Sequence, residues 1–486
     1  MELIFDIVKK LRNNEIRNIR NLLNSSPFDY EKVGKLFDLV TRYTEKGESY
    51  YSQKLYQKEP DNTFRVTKSR LKKLLEDAIL HEKSLSGYSA EYINSILQAR
   101  KRLLQGEILL GRGAYIASKN LLLQVSALGR KYSFHHELFQ ARMLLHRAQS
   151  INSGVREFEK STQELLELSR IESSVNEAAI LYYSLSNFLT HKTAEDQQII
   201  AGPLAQLKRI ETIHNEVNSP HTAYYYLYSH VLFHQYEQEY DIARKFCKKY
   251  LILLQNEPAL YSKQKVANAH FQLAEISMRM GKLDEAQEYI DETLAFYNKD
   301  NTNYLITLGI AFWIAFHSEN WKQAGKVIEE ALKHPRLAVS KSRAATWHFF
   351  KACLLFKKKL FRDASQELNH ATVLLNDKYG WNLSFRLLEI MILFESGHFD
   401  ILDSRIINMK QFVKRTQKTS ELFRPMQLIA ILMEWHKNNL DLTKAWPVIQ
   451  KKMKELNEFH KSHPFDANAT ELIRFEEWLL EKAGKR

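Results

Sequence analysis

Ala267–Tyr297 reads ANAHFQLAEISMRMGKLDEAQEYIDETLAFY, and the fold of the whole chain follows from how it divides. Ala267, His270, Phe271, Ala274 and then Ser277 or Met278 recur at i, i+3, i+4, i+7, which puts them on one face of a helix. After Met280-Gly281-Lys282 the period resumes with Leu283, Ala286, Tyr289, Ile290, Thr293 and Leu294. Gly281 stands where a helix end turns left-handed, a conformation that costs glycine least. Asp284 and Glu285 suit the positive end of the second helix dipole. Ala274 and Ala286 fall where the two helices come closest, and a methyl side chain permits that approach. A single hairpin of this kind cannot bury both apolar faces, so it needs neighbours.

Leu273-Ala274, Gly281, Ala286 and Thr293-Leu294 are spaced as in a tetratricopeptide (TPR) repeat, which the stretch resembles. Similar pairs flank it: Thr222–Glu237 with Tyr240–Leu254, Tyr304–His317 with Trp321–Lys333, and Arg343–Phe356 with Phe361–Asn376. Ala243, Ala286, Ala324 and Ala364 hold matching second-helix positions, 43, 38 and 40 residues apart. TPR repeats usually run to about 34 residues, so these helices or links are longer. The chain is therefore read as all-α: a right-handed α-solenoid of TPR-like helical hairpins behind a small N-terminal helical domain.

Composition agrees. With 486 residues the chain exceeds what one compact core usually supports, and its 15 Gly and 9 Pro are few for that length. Alternating apolar and polar residues bounded by turn signals do not recur. The expected divisions are a helical domain over 1–87, divergent hairpins over 88–220, TPR-like repeats over 221–376, and further divergent repeats over 377–486 closed by a capping helix. In that last helix, about Asn468–Ala483, Glu471, Glu476, Glu477 and Glu481 would form a polar outer face. Residues 88–200 divide into Tyr92–Leu110, Ala114–Leu128, Phe134–Ile151, Val155–Ile171 and Asn176–Leu189, followed by a helix over about Asp196–Asn218.

Pro60-Asp61-Asn62-Thr63 supplies a stop and a cap before a helix over about 63–82. Arg65, Lys68 and Lys72 share its polar side, so a short helix, a turn and a basic helix match the layout of a DNA reader, against which stands the commoner solvated basic face of a bundle helix. The formal charge of +13 is spread along the chain and permits an acidic partner without requiring one. Cys247 and Cys353 form neither a zinc spacing nor a disulfide framework and fit a reducing, cytoplasmic setting. No apolar run is long enough for a bilayer, and the first residues make a poor signal peptide.

Motifs for catalysis are absent: no glycine-rich phosphate loop and no HExxH, so no enzyme, cofactor or metal is expected. His230, His234 and Glu237 could line up three metal ligands on one helix face, against which stands a packed histidine pair in the hairpin interior. In TPR proteins the first helix of each repeat lines a concave groove. By resemblance, Tyr225, Tyr228, Asn268, Phe271, Glu275, Arg279, Trp313, Phe316, Phe349 and Lys357 face such a groove, where aromatic anchors suit a peptide or protein segment. A helical domain ahead of such repeats also resembles the layout of bacterial regulators that sense peptides. The function expected is a non-catalytic protein-binding scaffold or regulator, with a nucleic-acid-binding regulator as the alternative.

Overall fold

The computed structural model describes residues 1–11, 13–24, 31–43, 46–80, 91–149, 154–191, 202–374, 380–415, 423–462 and 471–484. Among them the regular structure is all helical. They form two compact units, residues 1–229 with 253–262, and residues 230–252 with 263–486.

The first unit opens with α1 (Glu2–Val8), α2 (Asn13–Asn24), α3 (Glu31–Arg42), α4 (Glu48–Tyr56) and α5 (Asn62–Ile79). Phe64, Leu71 and Leu75 from α5 join Val33, Leu36, Phe37 and Val40 from α3 in a core of their own. Asp61 caps α5, its Oδ1 accepting the Phe64 N–H at 3.0 Å. The Lys58 ammonium and that N–H hold its carboxyl down at about 2. The expected boundary between residues 87 and 88 lies outside the described residues.

Next come α6 (Glu91–Gly111), α7 (Tyr115–Tyr132), α8 (His135–Gln149), α9 (Val155–His191) and α10 (Pro203–Glu216), each from α7 onward packed on the one before. Gly129 lets α7 meet α8 closely: a Cβ there would lie 2.7 Å from Leu138 Cβ. One sequence expectation is corrected. Val155–Ile171 and Asn176–Leu189 are not two helices but parts of the 37-residue α9. The intervening Glu172-Ser173-Ser174-Val175 holds neither glycine nor proline, so nothing interrupts the backbone ladder. The helix expected from about Asp196 is described only from Pro203.

α11 (Pro220–Tyr236) and α12 (Tyr240–Asn256) carry the division between the units within them. The second unit continues through α13 (Lys263–Arg279), α14 (Leu283–Phe296), α15 (Thr302–His317), α16 (Trp321–Leu332), α17 (Lys341–Lys357), α18 (Phe361–Leu374), α19 (Gly380–Glu395), α20 (Phe399–Arg415), α21 (Phe423–Lys437) and α22 (Leu442–Ser462). Each of these packs on the next, and α13 also touches α15 as α17 touches α19, so hairpins stack on hairpins.

The turns show the repeat more clearly than the helices do. Gln238, Gly281, Glu319, Lys359, Gly397 and Asn439 are all left-handed, each just past a first helix. In every case the next residue's N–H bonds the carbonyl five residues back: Glu239 to His234, Lys282 to Ser277, Asn320 to Ala315, Leu360 to Leu355, His398 to Leu393, and Leu440 to Trp435, at 2.8–3.0 Å. This Schellman closure satisfies a carbonyl that the helix end would leave unpaired. Five residues after the first five of these positions come Ala243, Ala286, Ala324, Ala364 and Leu402, all fully buried. The sixth turn has a second left-handed residue, Leu440, and buries Ala445 at the matching place. These are TPR-like hairpins, built on a period longer than the usual one.

Candidate binding cleft

The ten groove candidates separate into four groups. Tyr225 and Tyr228 join Tyr182 and Tyr224 in an aromatic cluster, Tyr182 to Tyr225 at 5.5 Å and to Tyr228 at 5.8 Å between ring centres. Burial, helped by Tyr183 and Tyr224, pushes the Tyr225 hydroxyl up to about 12. On α13, Arg279 donates to Glu275 at 3.1 Å and to the Tyr240 hydroxyl at 3.2 Å, so this charged pair is internally satisfied. Phe271 packs half-buried against the core of the second unit, and Asn268 is half-buried beside it on the same helix.

The aromatic anchors expected on α15 and α17 are corrected by their burial. Phe349 is 1% exposed and stacks on Phe385 at 4.6 Å, joining α17 to α19. Trp313 and Phe316 are buried as well, the former stacked on His317 at 4.7 Å. The reason is geometric: with hairpins stacked, the faces of successive first helices bury one another before any groove is reached. Lys357, by contrast, is exposed at the end of α17.

Phe316 and Lys357 nonetheless meet at one place. A cleft of about 440 Å³ is lined on one side by Phe316, His317, Glu319, Trp321 and Lys357. The opposite wall is the C-terminal segment, with Leu472, Ile473, Arg474, Glu477, Trp478, Leu480 and Glu481. Helix α23 (Phe475–Lys482) thus lies along the C-terminal ends of first helices. Trp478 donates its indole N–H to Glu395 Oε1 at 2.9 Å, and Lys482 pairs with the same carboxylate at 2.5 Å. The Trp478 ring meets Phe394 edge-on at 5.5 Å and lies 6.2 Å from Trp435.

The segment is clamped by charge. Arg424 donates to Glu471 at 2.6 Å and to Glu476 at 2.7 Å, with all three side chains largely buried. Glu471 also accepts the Phe475 N–H at 2.8 Å, which starts the helix. Burial pushes the Glu471 carboxyl up, although Arg424 opposes it. The polar outer face expected of a capping helix is therefore corrected: Glu471 and Glu476 point inward, while Glu477 and Glu481 are exposed. The counter-charge comes from a helix 47 residues earlier, out of reach of any local pattern. Residues 468–470 of the expected helix lie outside the described residues.

The histidines weighed as metal ligands are packed instead. His230 stacks on Phe246 at 4.2 Å and bonds His234 at 3.3 Å, while Glu237 is exposed. Burial, then the neighbouring His234, pushes His230 down to about 4 from an ordinary 6.5. The folded protein therefore binds fewer protons than the unfolded chain between these values. Stability should fall as pH drops from about 6.5 to about 4, and His230→Phe should flatten that fall in denaturant titrations at several pH values. His135, His214, His270 and His317 are also held low by burial, so part of the slope should remain.

On the basic helix α5, Lys68 pairs with Glu48 at 2.8 Å and Lys72 with Glu76 at 3.5 Å, leaving Arg65 exposed beside them. Cys247 and Cys353 are buried thiols, and burial pushes Cys247 up to about 12, so neither suits nucleophilic chemistry. No helix among the described residues is long and apolar enough to cross a membrane.

The fold and cleft together define an all-α protein of TPR-like helical hairpins. No family model and no curated protein matches the chain. Solved structures similar to it include BtubC from P. vanneervenii, at 15% identity over 51% of this chain and 93% of that one, with a TM-score of 0.36. A signal transduction ATPase with numerous domains and a tetratricopeptide repeat sensor, from Pyrococcus horikoshii, is 12% identical over 94% of this chain and 66% of that one, with a TM-score of 0.31. The TPR2AB domain of yeast Sti1, in a complex with pHSP90, is 9% identical over 59% of this chain and 99% of that one, with a TM-score of 0.20. The description as TPR-like hairpins stands on the turn and packing geometry above.

Proposed function

We propose that this chain is a non-catalytic binding protein, a scaffold or regulator, that takes a protein or peptide segment as a helix against the C-terminal ends of its first helices. A cytoplasmic location belongs to the same proposal. The observation that carries it is α23: the second unit already holds an amphipathic helix there through an aromatic anchor, Trp478, and a buried arginine, Arg424. A surface that accepts one such helix offers apolar area and matched charge to another of similar pattern, the helix-in-groove mode of recognition. The partner expected carries an aromatic residue and acidic residues within one or two turns, as Phe475-Glu476-Glu477-Trp478 does.

The test is a labelled synthetic peptide with the sequence of residues 471–484, titrated by fluorescence anisotropy into the full chain and into Trp478→Ala, which removes the resident helix's anchor and keeps Arg424 in place. Tighter binding to the variant, whose own helix is released, supports the proposal. No binding to either protein overturns it. The nucleic-acid alternative has less behind it, because carboxylates pair with two of its three candidate cations, Lys68 and Lys72.

A further inference from the structure

The first helix of one hairpin and the second helix of the same hairpin bring three metal-ligating side chains together away from the cleft. His348 lies on α17, and Glu367 and His370 lie three residues apart on α18, facing it. One ligand atom from each lies within 4.8 Å of the other two. His348 Nδ1 is 2.7 Å from Glu367 Oε2, and the two imidazole rings are 5.7 Å apart, nearly perpendicular. We propose that His348, Glu367 and His370 form a binding site for a divalent transition-metal ion of the zinc class.

Two imidazoles and one carboxylate are a donor set that zinc accepts with an open fourth position for water. Nitrogen-rich donors favour such ions over magnesium or calcium, which take oxygen ligands. Zinc bonds of about 2.0–2.2 Å place tetrahedral ligand atoms roughly 3.3–3.5 Å apart. The present spacing needs side-chain shifts of about 1.5 Å or less, within reach of rotations about χ angles without moving either helix. His370 is exposed, and His348 and Glu367 are half-buried, so an ion can enter from solvent while two of its ligands stay positioned by packing.

The second carboxylate oxygen is already engaged. Lys351 Nζ lies 2.6 Å from Glu367 Oε1, which leaves Oε2 toward the histidines. That ion pair and the His348 contact hold the carboxyl below its ordinary range against the opposing effect of burial. The carboxylate is thus ionised and aimed before an ion arrives, as outer partners usually do for metal ligands. The neighbouring ammonium also opposes a dication, so moderate affinity is expected rather than a permanently filled site. Because the ligands join α17 to α18, binding would tie one hairpin together and raise its stability.

The test uses the full chain, stripped with chelator and titrated calorimetrically with zinc chloride, and with cobalt(II) followed by visible absorption. One equivalent should bind, with intense tetrahedral-type cobalt bands. His370→Ala, an exposed substitution with little effect on folding, should weaken binding by at least about tenfold, as should Glu367→Gln. Zinc should raise the Tm of the parent and not that of His370→Ala. The chain has 18 histidines, so weak binding elsewhere is expected, and the variants decide the matter. Unchanged affinity and unchanged cobalt spectrum in both variants would overturn the proposal, as would no stoichiometric binding by the parent chain.

Discussion

Arg424→Ala should release the C-terminal helix and cost about 3–5 kcal/mol, the range for breaking a buried ion pair by removing one partner. The side chain answers two carboxylates at once, Glu471 at 2.6 Å and Glu476 at 2.7 Å, and neither is exposed to water that could replace it. Without the guanidinium, both must take up protons or leave the core. Either course loosens α23, a short helix that Glu395, Phe394 and Trp435 hold together with the burial of its own Phe475, Trp478 and Leu479. Hydrogen exchange over residues 475–482 should therefore speed up sharply while α13–α18 keep their protection. A triple replacement, Arg424→Met with Glu471→Gln and Glu476→Gln, should recover much of the loss, since it removes the charges together. If exchange in 475–482 is the same in Arg424→Ala as in the parent, the clamp is not what holds the helix.

This clamp also shows where sequence reading runs out. The hairpins themselves were legible, because their signals are local: an apolar period of 3.6, small residues at crossings, and Gly281 at a turn. Their extent was harder to see because only Gly281 and Gly397 mark the six left-handed turns with glycine. Gln238, Glu319, Lys359 and Asn439 adopt the same conformation without the residue that announces it. Such positions carry a strain of about 1–2 kcal/mol each, which the Schellman bond and the buried alanine that follows, five residues on or six after Asn439, must offset. A pattern of apolar faces located the helices, but the long α9 was divided in two because a polar stretch without glycine or proline looks like a link and is not one.

The sites were less legible, and the physical cause is the same in each. A side chain's partner is set by stacking, which brings together residues 19 to 83 apart: His348 with Glu367, Arg424 with Glu471, Trp478 with Glu395. Aromatic residues on first helices could be seen in the sequence, but whether a ring faces a groove or the next hairpin depends on the angle between hairpins. Acidic residues in the last helix looked like a solvated face because the arginine that draws two of them inward lies on α21. The cleft does contain Phe316 and Lys357 from the sequence set, while His317, Trp321, Arg474 and Trp478 enter only through the tertiary structure.

The burial of the expected anchors changes which substitutions can probe binding. Phe349→Ala should destabilise the second unit by about 3–5 kcal/mol, the range for deleting a buried aromatic ring. Phe349 is 1% exposed, and the Phe385 ring stacked on it at 4.6 Å would face the resulting void. The void sits between α17 and α19, where two hairpins join, so neighbouring side chains can fill it only by moving a helix. Phe316→Ala and Trp313→Ala should behave similarly, since both rings are buried in the same cluster. A partner lost from Phe349→Ala or Trp313→Ala would report a weakened core and not a missing contact, whereas Phe316 also lines the cleft. Lys357→Glu is the informative change: the residue is exposed and lines the cleft, so it should leave the denaturation midpoint within about 0.5 kcal/mol of the parent. The same reversal should weaken an acidic helix bound there. A loss of stability in Lys357→Glu equal to that of Phe349→Ala, measured by urea denaturation, would show that the cleft wall is core and not a binding surface.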